Sequence, residues 1–310
     1  MSWSEADLPD LSGRRFVVTG ANSDLGWETA RALASRGGEV VMACRNPAKA
    51  ASAADGIRER APGANLTLLA LDLGELASVR AASAALLAEG RPIDGLINNA
   101  GVMAVPQGRT MDGFEIQFGT NHLGHFAWTA ALLPLVQDAA AGRVVTVASS
   151  AHHFGWMRWG DLQRTRRYHP WLAYGQSKLS NLLFTYALDR RLRAAGSAVR
   201  ALAAHPGYAD TNLQYVAPAQ RGSSLELAGM RLGNRWVAQS AADGALPTLR
   251  AACDPDAPSG AYYGPGGWFE MRGPPVAVRS NARSRSVDDQ ERLWSESLAL
   301  TGATWPAWLA

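Results

Sequence analysis

Lysine is almost missing from this chain. Of its 30 basic residues only Lys49 and Lys178 are lysine; the other 28 are arginine. Wherever a generic positive charge suffices the sequence uses arginine, so a lysine marks a position where a compact ammonium is wanted. Cysteine is equally scarce. Cys44 and Cys253 lie far apart, in neither metal nor redox spacing, which excludes a disulfide-stapled scaffold and points to a reducing compartment. A charge imbalance is missing too: 30 Lys+Arg against 27 Asp+Glu leaves +3, too little to argue for nucleic acid or an anionic membrane as partner. No uninterrupted apolar run approaches the ~18 residues that span a bilayer. The N-terminus, MSWSEADLPD, has neither the basic start nor the apolar centre of a signal peptide, so a cytoplasmic location is expected. What is abundant is apolar: 47% hydrophobic against 18% charged residues, as in a globular protein with a substantial core.

Between residue 14 and about 207, short β-branched runs alternate with longer helical stretches. RRFVVTG, EVVMACR, NLTLLALDL, IDGLINNAG, GRVVTVASS and AVRALAAHPG read as buried strands, because both faces of a covered parallel sheet want apolar side chains. Helices are predicted near 25–36, 47–61, 75–89, 112–138 and 173–196. This order implies an α/β doubly wound parallel sheet of the Rossmann kind, helices on both faces, with ligand chemistry at the carboxyl ends of the strands. No repeat or low-complexity linker interrupts it. Beyond Gly207 a helical insertion is expected at about 212–237, a helix at 239–253, and a last strand and turn in AYYGPGGWFEM. The expectation is one domain: a core over 13–270, then a C-terminal extension over 271–310, with an irregular cap on the substrate side.

The stretch TGANSDLG, Thr19 to Gly26, follows the first strand and opens the first helix. A strand–turn–helix of this kind presents backbone N–H groups and the positive end of a helix dipole to a phosphate. Gly20 allows the tight turn and Gly26 the close packing of helix on strand; Asn22, Ser23, Asp24 and Leu25 form the rest of the candidate cradle. Asp24 puts a carboxylate in its middle. Turned outward it caps the helix; turned inward it repels a pyrophosphate. The second strand ends in ACRN. An acidic residue here would hold a ribose 2′-hydroxyl and an arginine would suit a 2′-phosphate. Cys44 followed by Arg45 therefore favours NADP(H) over NAD(H).

Tyr174 and Lys178, in AYGQSK, are four apart on a predicted helix and share one face. In a chain that nearly always chooses arginine, this lysine is expected to lower the phenol pKa from its free value of ~10, letting Tyr174 exchange a proton with a carbonyl or alcohol oxygen. Ser150, ending GRVVTVASS, is expected to steady that oxygen, and Asn121, in TNHLGHF, to position a water toward Lys178.

Together TGANSDLG, INNAG, TNHLGHF, VASSAHH, YGQSK and HPGYADTNL stand in the order and at the separations of the short-chain dehydrogenase/reductase family. The chain resembles it over roughly Gly13 to Leu213, closest to the branch of retinol dehydrogenase-like and protochlorophyllide reductase-like enzymes through ACRN and SSAHH. The resemblance implies a catalytic tetrad of Asn121, Ser150, Tyr174 and Lys178. It implies that Asp72, with Leu73, meets the adenine edge, and that Asn98 to Gly101, including Ala100, line the adenosine side. Lys178 and Tyr174 would also meet the nicotinamide ribose, Pro206 and Gly207 would contact the cofactor, and Thr211 would meet the carboxamide or the phosphates. Asp24 is the one departure, standing where the family has its middle glycine. The expected activity is interconversion of an alcohol and its carbonyl. Reduction of a C=C bond, or nucleotide sensing without turnover, are the alternatives. The family also implies packing of long central helices into dimers or tetramers.

Trp156, Met157, Trp159 and Trp171, with Trp268, Phe269 and Met271 downstream, are candidate walls for a bulky apolar substrate. The adjacent His152 and His153 lack a third ligand at metal spacing, so no metal is expected. The RTRR run at 164–167 reads as a solvated loop.

Overall fold

A computed structural model describes residues 2–208 and 239–309. Eight strands form one sheet in the order β3-β2-β1-β4-β5-β6-β7-β8. These are β1 (Arg15–Thr19), β2 (Glu39–Cys44), β3 (Leu66–Ala70), β4 (Gly95–Asn98), β5 (Arg143–Val147), β6 (Arg200–Ala204), β7 (Tyr262–Pro265) and β8 (Pro275–Ala277). Pairing is parallel up to β7, and β8 adds antiparallel through Tyr263↔Ala277. The doubly wound topology is the one the alternation of strand and helix runs requires, since parallel neighbours need helical crossovers.

Period-two alternation sorts the strand residues onto the two faces. Phe16, Val18, Val40, Met42, Val145 and Leu202 pack with α1 (Asp24–Ser35), α2 (Pro47–Arg60) and α7 (Ala241–Cys253). Val17, Val41, Leu96, Val144 and Ala201 face α3 (Leu76–Glu89), α5 (Gly124–Gln137) and α6 (Pro170–Ala194). A last helix, α8 (Val287–Thr301), and the tail behind it close over α5 and α6. There Trp294 and Trp305 meet at 4.5 Å between ring centroids, and each meets Phe126, at 5.2 and 5.1 Å.

Three features differ from the sequence reading. β3 is not a buried strand but the edge of the sheet, with Leu68 42% exposed; lacking an outer neighbour, it needs no continuous apolar run on both faces. AYYGPGGWFEM does not hold the last strand, because β8 follows it. The expected helix over 112–138 is broken. Glu115 caps a short α4 (Ile116–Phe118), a π-helical turn occupies Gly119–Leu123, and α5 begins at Gly124. Gly124 is required at that junction, since a Cβ there would sit 2.3 Å from the Leu73 carbonyl oxygen. The insertion expected at 212–237 lies outside the described residues. No helix among the described residues is long and apolar enough to cross a membrane.

Candidate active site

The loops after β1 and β4 are bolted together. The Thr19 hydroxyl accepts from the backbone N–H of Asn99 at 2.9 Å and of Ala100 at 3.0 Å, while the Asn99 side-chain amide donates to the Thr19 carbonyl at 2.9 Å. This closeness explains the glycines. Gly20 has φ +68°, and a Cβ on it would stand 3.0 Å from Ala100; one on Gly26 would collide with the Gly20 carbonyl at 2.2 Å. Asp24 opens α1 with φ +49°, the left-handed region where glycine is at ease and other residues are strained by about 1 kcal/mol or more. Ser23, at the N-cap position, is exposed and makes no capping hydrogen bond through its side chain. Asn22 and Leu25 are half-buried beside it. Cys44 lies beneath the turn: burial pushes its thiol up to about 11, and hydrogen bonds from the Ala21 and Asn22 backbone pull the other way. Arg45, the next residue, is exposed at the carboxyl end of β2.

Two expected cofactor contacts have their side chains committed elsewhere. Asn98 is buried and donates to Thr129 of α5 at 2.9 Å. Leu73 is buried in the core under α5. Asp72 is half-buried and accepts from the Gly74 N–H at 2.8 Å. Gly101 brings the β4 loop onto Asn121 and Lys178, since a Cβ there would lie 3.0 Å from the Asn121 amide oxygen and 3.7 Å from the Lys178 Nζ. Pro206 and Gly207 follow β6, with Gly207 at φ +64° and its N–H donating to His205 Nδ1 at 3.2 Å. Thr211 lies outside the described residues.

Tyr174 and Lys178 stand on one face of α6, both nearly fully buried. The Lys178 ammonium donates to the Val147 carbonyl at 2.9 Å and lies 5.8 Å from the centre of the Tyr174 ring. Burial holds the lysine down to about 8. The tyrosine departs from expectation. Burial pushes its phenol up to about 12, and a hydrogen bond with the Ser149 side chain pulls it the other way. The Lys178 ammonium, directed to Val147 at the end of β5, does not offset that burial. Desolvation wins over the lysine charge.

The serine beside Tyr174 is Ser149, and not the expected Ser150. Ser149 is half-buried, pairs with Tyr174 and caps a 3₁₀ turn over Ser150–His153 by accepting from the Ala151 N–H at 3.2 Å. Ser150 is the first residue of that turn and points to solvent. Both side-chain N–H groups of Asn121 are engaged. Its amide donates to the Val102 carbonyl and the Ser177 hydroxyl, both at 2.9 Å, and its oxygen accepts from the Val102 N–H at 2.8 Å. A water positioned by Asn121 would find open the second lone pair of the amide oxygen or the main chain.

Of the candidate apolar walls, Trp171 lies 6.1 Å from the Tyr174 ring, and Trp156, Trp268 and Phe269 are 68%, 77% and 77% exposed. Met157 and Trp159 turn away from this surface. Met157 is in the core, and the Trp159 indole donates to Asp289 of α8 at 3.1 Å. The RTRR run is not uniformly solvated, because Arg164 is buried and donates to Gln176 at 2.9 Å. Among the described residues no group of three His, Cys, Asp or Glu could hold a metal.

Residues 14–222 match the family model described as short chain dehydrogenase. Retinol dehydrogenase 12 of Mus musculus is 40% identical over 297 residues, covering 95% of this chain and 88% of its own. Polyprenol dehydrogenase of Mus musculus is 39% identical over 301 residues, 96% of this chain and 86% of its own. Among solved structures, an uncharacterized protein from Mycobacterium paratuberculosis is 43% identical with a TM-score of 0.79, covering 99% of this chain and all of the other. A short chain dehydrogenase from Shigella flexneri, complexed with NADP, shares the fold at 21% identity and a TM-score of 0.62, covering 83% of this chain and 98% of its own.

The buried histidines around the site predict its pH response. Burial holds His122 down to about 3, and His125 and His152 each to about 4. The unfolded chain takes up these protons near pH 6.5 and the folded one does not, so their contribution is complete above 6.5 and lost as pH falls toward 4. The expected slope is about 1.4 kcal/mol per pH unit per histidine. Urea denaturation from pH 7 to 4.5 should show it, and His122→Gln should reduce the slope by the share of one proton.

Proposed function

The chain belongs to the short-chain dehydrogenase family and is an NAD(P)-dependent oxidoreductase; on that premise we propose that it is an NADP(H)-dependent enzyme interconverting an alcohol and its carbonyl on a bulky apolar substrate. The observation that carries this reading is the group formed by buried Tyr174 and Lys178 with half-buried Ser149 at the carboxyl end of β5, closed on one side by Gly101. A protonated phenol and a hydroxyl beside it suit the oxygen of a carbonyl.

The residues fit a dinucleotide. Gly20, Gly26 and Gly101 stand where a Cβ would crowd the loop or its neighbours, and the N-terminus of α1 offers N–H groups and a positive dipole end to a pyrophosphate. Cys44 leaves no carboxylate at the end of β2, and the exposed Arg45 beside it supports a 2′-phosphate. When bound, the nicotinamide supplies the hydride.

The protein's own part is protonic and positional. With its phenol near 12, Tyr174 is protonated at neutral pH and acts as proton donor to a carbonyl oxygen. Ser149 holds the phenol and shares the substrate oxygen. Lys178 remains charged below its value of about 8 and keeps α6 on β5 through Val147. Trp171 beside Tyr174, and the exposed Trp268 and Phe269, support an apolar substrate. The names of the relatives, retinol and polyprenol dehydrogenases, point to the same class. A cytoplasmic location belongs to this reading, in keeping with two buried free thiols.

Two outcomes follow. In steady-state kinetics with NADPH and an apolar aldehyde, Ser149→Ala should lower kcat/KM about 100-fold or more, and Tyr174→Phe at least as much. Ser150→Ala should stay near wild type; damage from Ser150→Ala alone would reverse the assignment. In fluorescence titrations NADPH should bind more tightly than NADH, and Arg45→Ala should remove that advantage while leaving NADH unchanged. Asp24→Gly, which relieves the left-handed strain and a negative charge, should tighten both.

A further inference from the structure

His125 opens α5 one residue after Gly124 and lies wholly inside the protein. Its ring bridges two parts of the site. Nε2 lies 2.9 Å from the Thr19 hydroxyl, and Nδ1 lies 3.0 Å from the main-chain carbonyl of Asn121 in the π-helical turn. Thr19 in turn receives the N–H groups of Asn99 and Ala100. One side chain therefore spans the phosphate turn, the β4 loop and the turn that carries Asn121.

Counting donors settles the proton. The Thr19 oxygen already accepts two N–H bonds, which fills its acceptor capacity. Its single proton has two acceptors in reach, the Ile97 carbonyl at 3.4 Å and His125 Nε2 at 2.9 Å. The nearer one takes it. Nε2 is then an acceptor, so the ring proton sits on Nδ1 and is donated to the Asn121 carbonyl. A doubly protonated ring would set an N–H against a hydroxyl with no lone pair left. Burial and the like charge of Lys178 both oppose that form.

We propose that His125, as the neutral Nδ1–H tautomer, is a positioning residue that fixes the Asn121 carbonyl and the Thr19 hydroxyl in one chain of hydrogen bonds, coupling the dinucleotide cradle to the catalytic turn. The kinetic consequences rest on the oxidoreductase reading; the tautomer does not. A water held at the Asn121 main-chain carbonyl would take its place from this bond.

Histidine-labelled wild-type protein tests the tautomer directly. Long-range proton–nitrogen spectra should show Nδ1 of the buried ring protonated and Nε2 bare at pH 7; the reverse pattern overturns the proposal. His125→Phe keeps a ring and removes both bonds. It should weaken NADPH binding about fivefold and lower kcat about tenfold, and Thr19→Val should act similarly. The double variant His125→Phe/Thr19→Val should be no worse than the poorer single variant. Leu249→Ala, in α7 on the other face of the sheet, serves as the control for a general loss of stability and should change neither quantity. Additive effects of the two variants, or wild-type binding by His125→Phe, overturn the coupling. Should His125→Phe fail to fold, the wild-type spectrum still decides. A wild type that binds neither NADPH nor NADH defeats the functional reading, and the tautomer remains decidable.

Discussion

The ammonium of Lys178 donates to the Val147 carbonyl in a region that water does not reach, and the arrangement of the site depends on that bond. A buried charge must be paired or it shifts toward neutrality, and here both happen: the lysine finds a carbonyl and is still held down to about 8. Asn181, one turn along α6, donates to the same carbonyl at 3.1 Å. Together they fix α6 against the end of β5, so Tyr174, one turn earlier, faces Ser149. The lysine thus acts on the tyrosine chiefly through position. Its ammonium donates to the peptide group, and burial leaves the phenol protonated.

The second constraint is the absence of room between the turns after β1 and β4. Gly20, Gly26 and Gly101 each stand where a Cβ would crowd backbone or a site side chain. Packing this tight leaves hydrogen bonds little freedom to exchange partners, and the chain Asn121–His125–Thr19–Asn99 runs through it. Asp24 strains this geometry, adopting in a left-handed conformation the shape that glycine takes without cost. The carboxylate leaves the fold of the turn intact.

Much of this was legible in the sequence. RRFVV, EVVMAC and GRVVTV are strands because continuous apolar runs fit only a sheet covered on both faces, and Lys178 announced itself against 28 arginines. The misreadings share a cause, which is that local pattern does not say what lies across the fold. NLTLLAL looks as buried as its neighbours, but edge position is a property of topology. Ser149 and Ser150 are adjacent and identical, and only the 3₁₀ turn separates them. Met157 and Trp159 read as substrate walls until the core and α8 claimed them, and Arg164 read as solvated until Gln176 paired it. His125 was visible in TNHLGHF, but its role needed Thr19, far away in sequence, to be brought within 2.9 Å.

The most direct test of the account follows a single atom. The protein would be incubated with NADPH carrying deuterium at the transferable position of its nicotinamide and with an apolar α,β-unsaturated aldehyde, and the product analysed by mass spectrometry and NMR. Deuterium on the carbinol carbon of an allylic alcohol is the result predicted by a proton donor poised at a carbonyl oxygen. Deuterium on the former alkene, or none transferred despite tight NADPH binding, would contradict it.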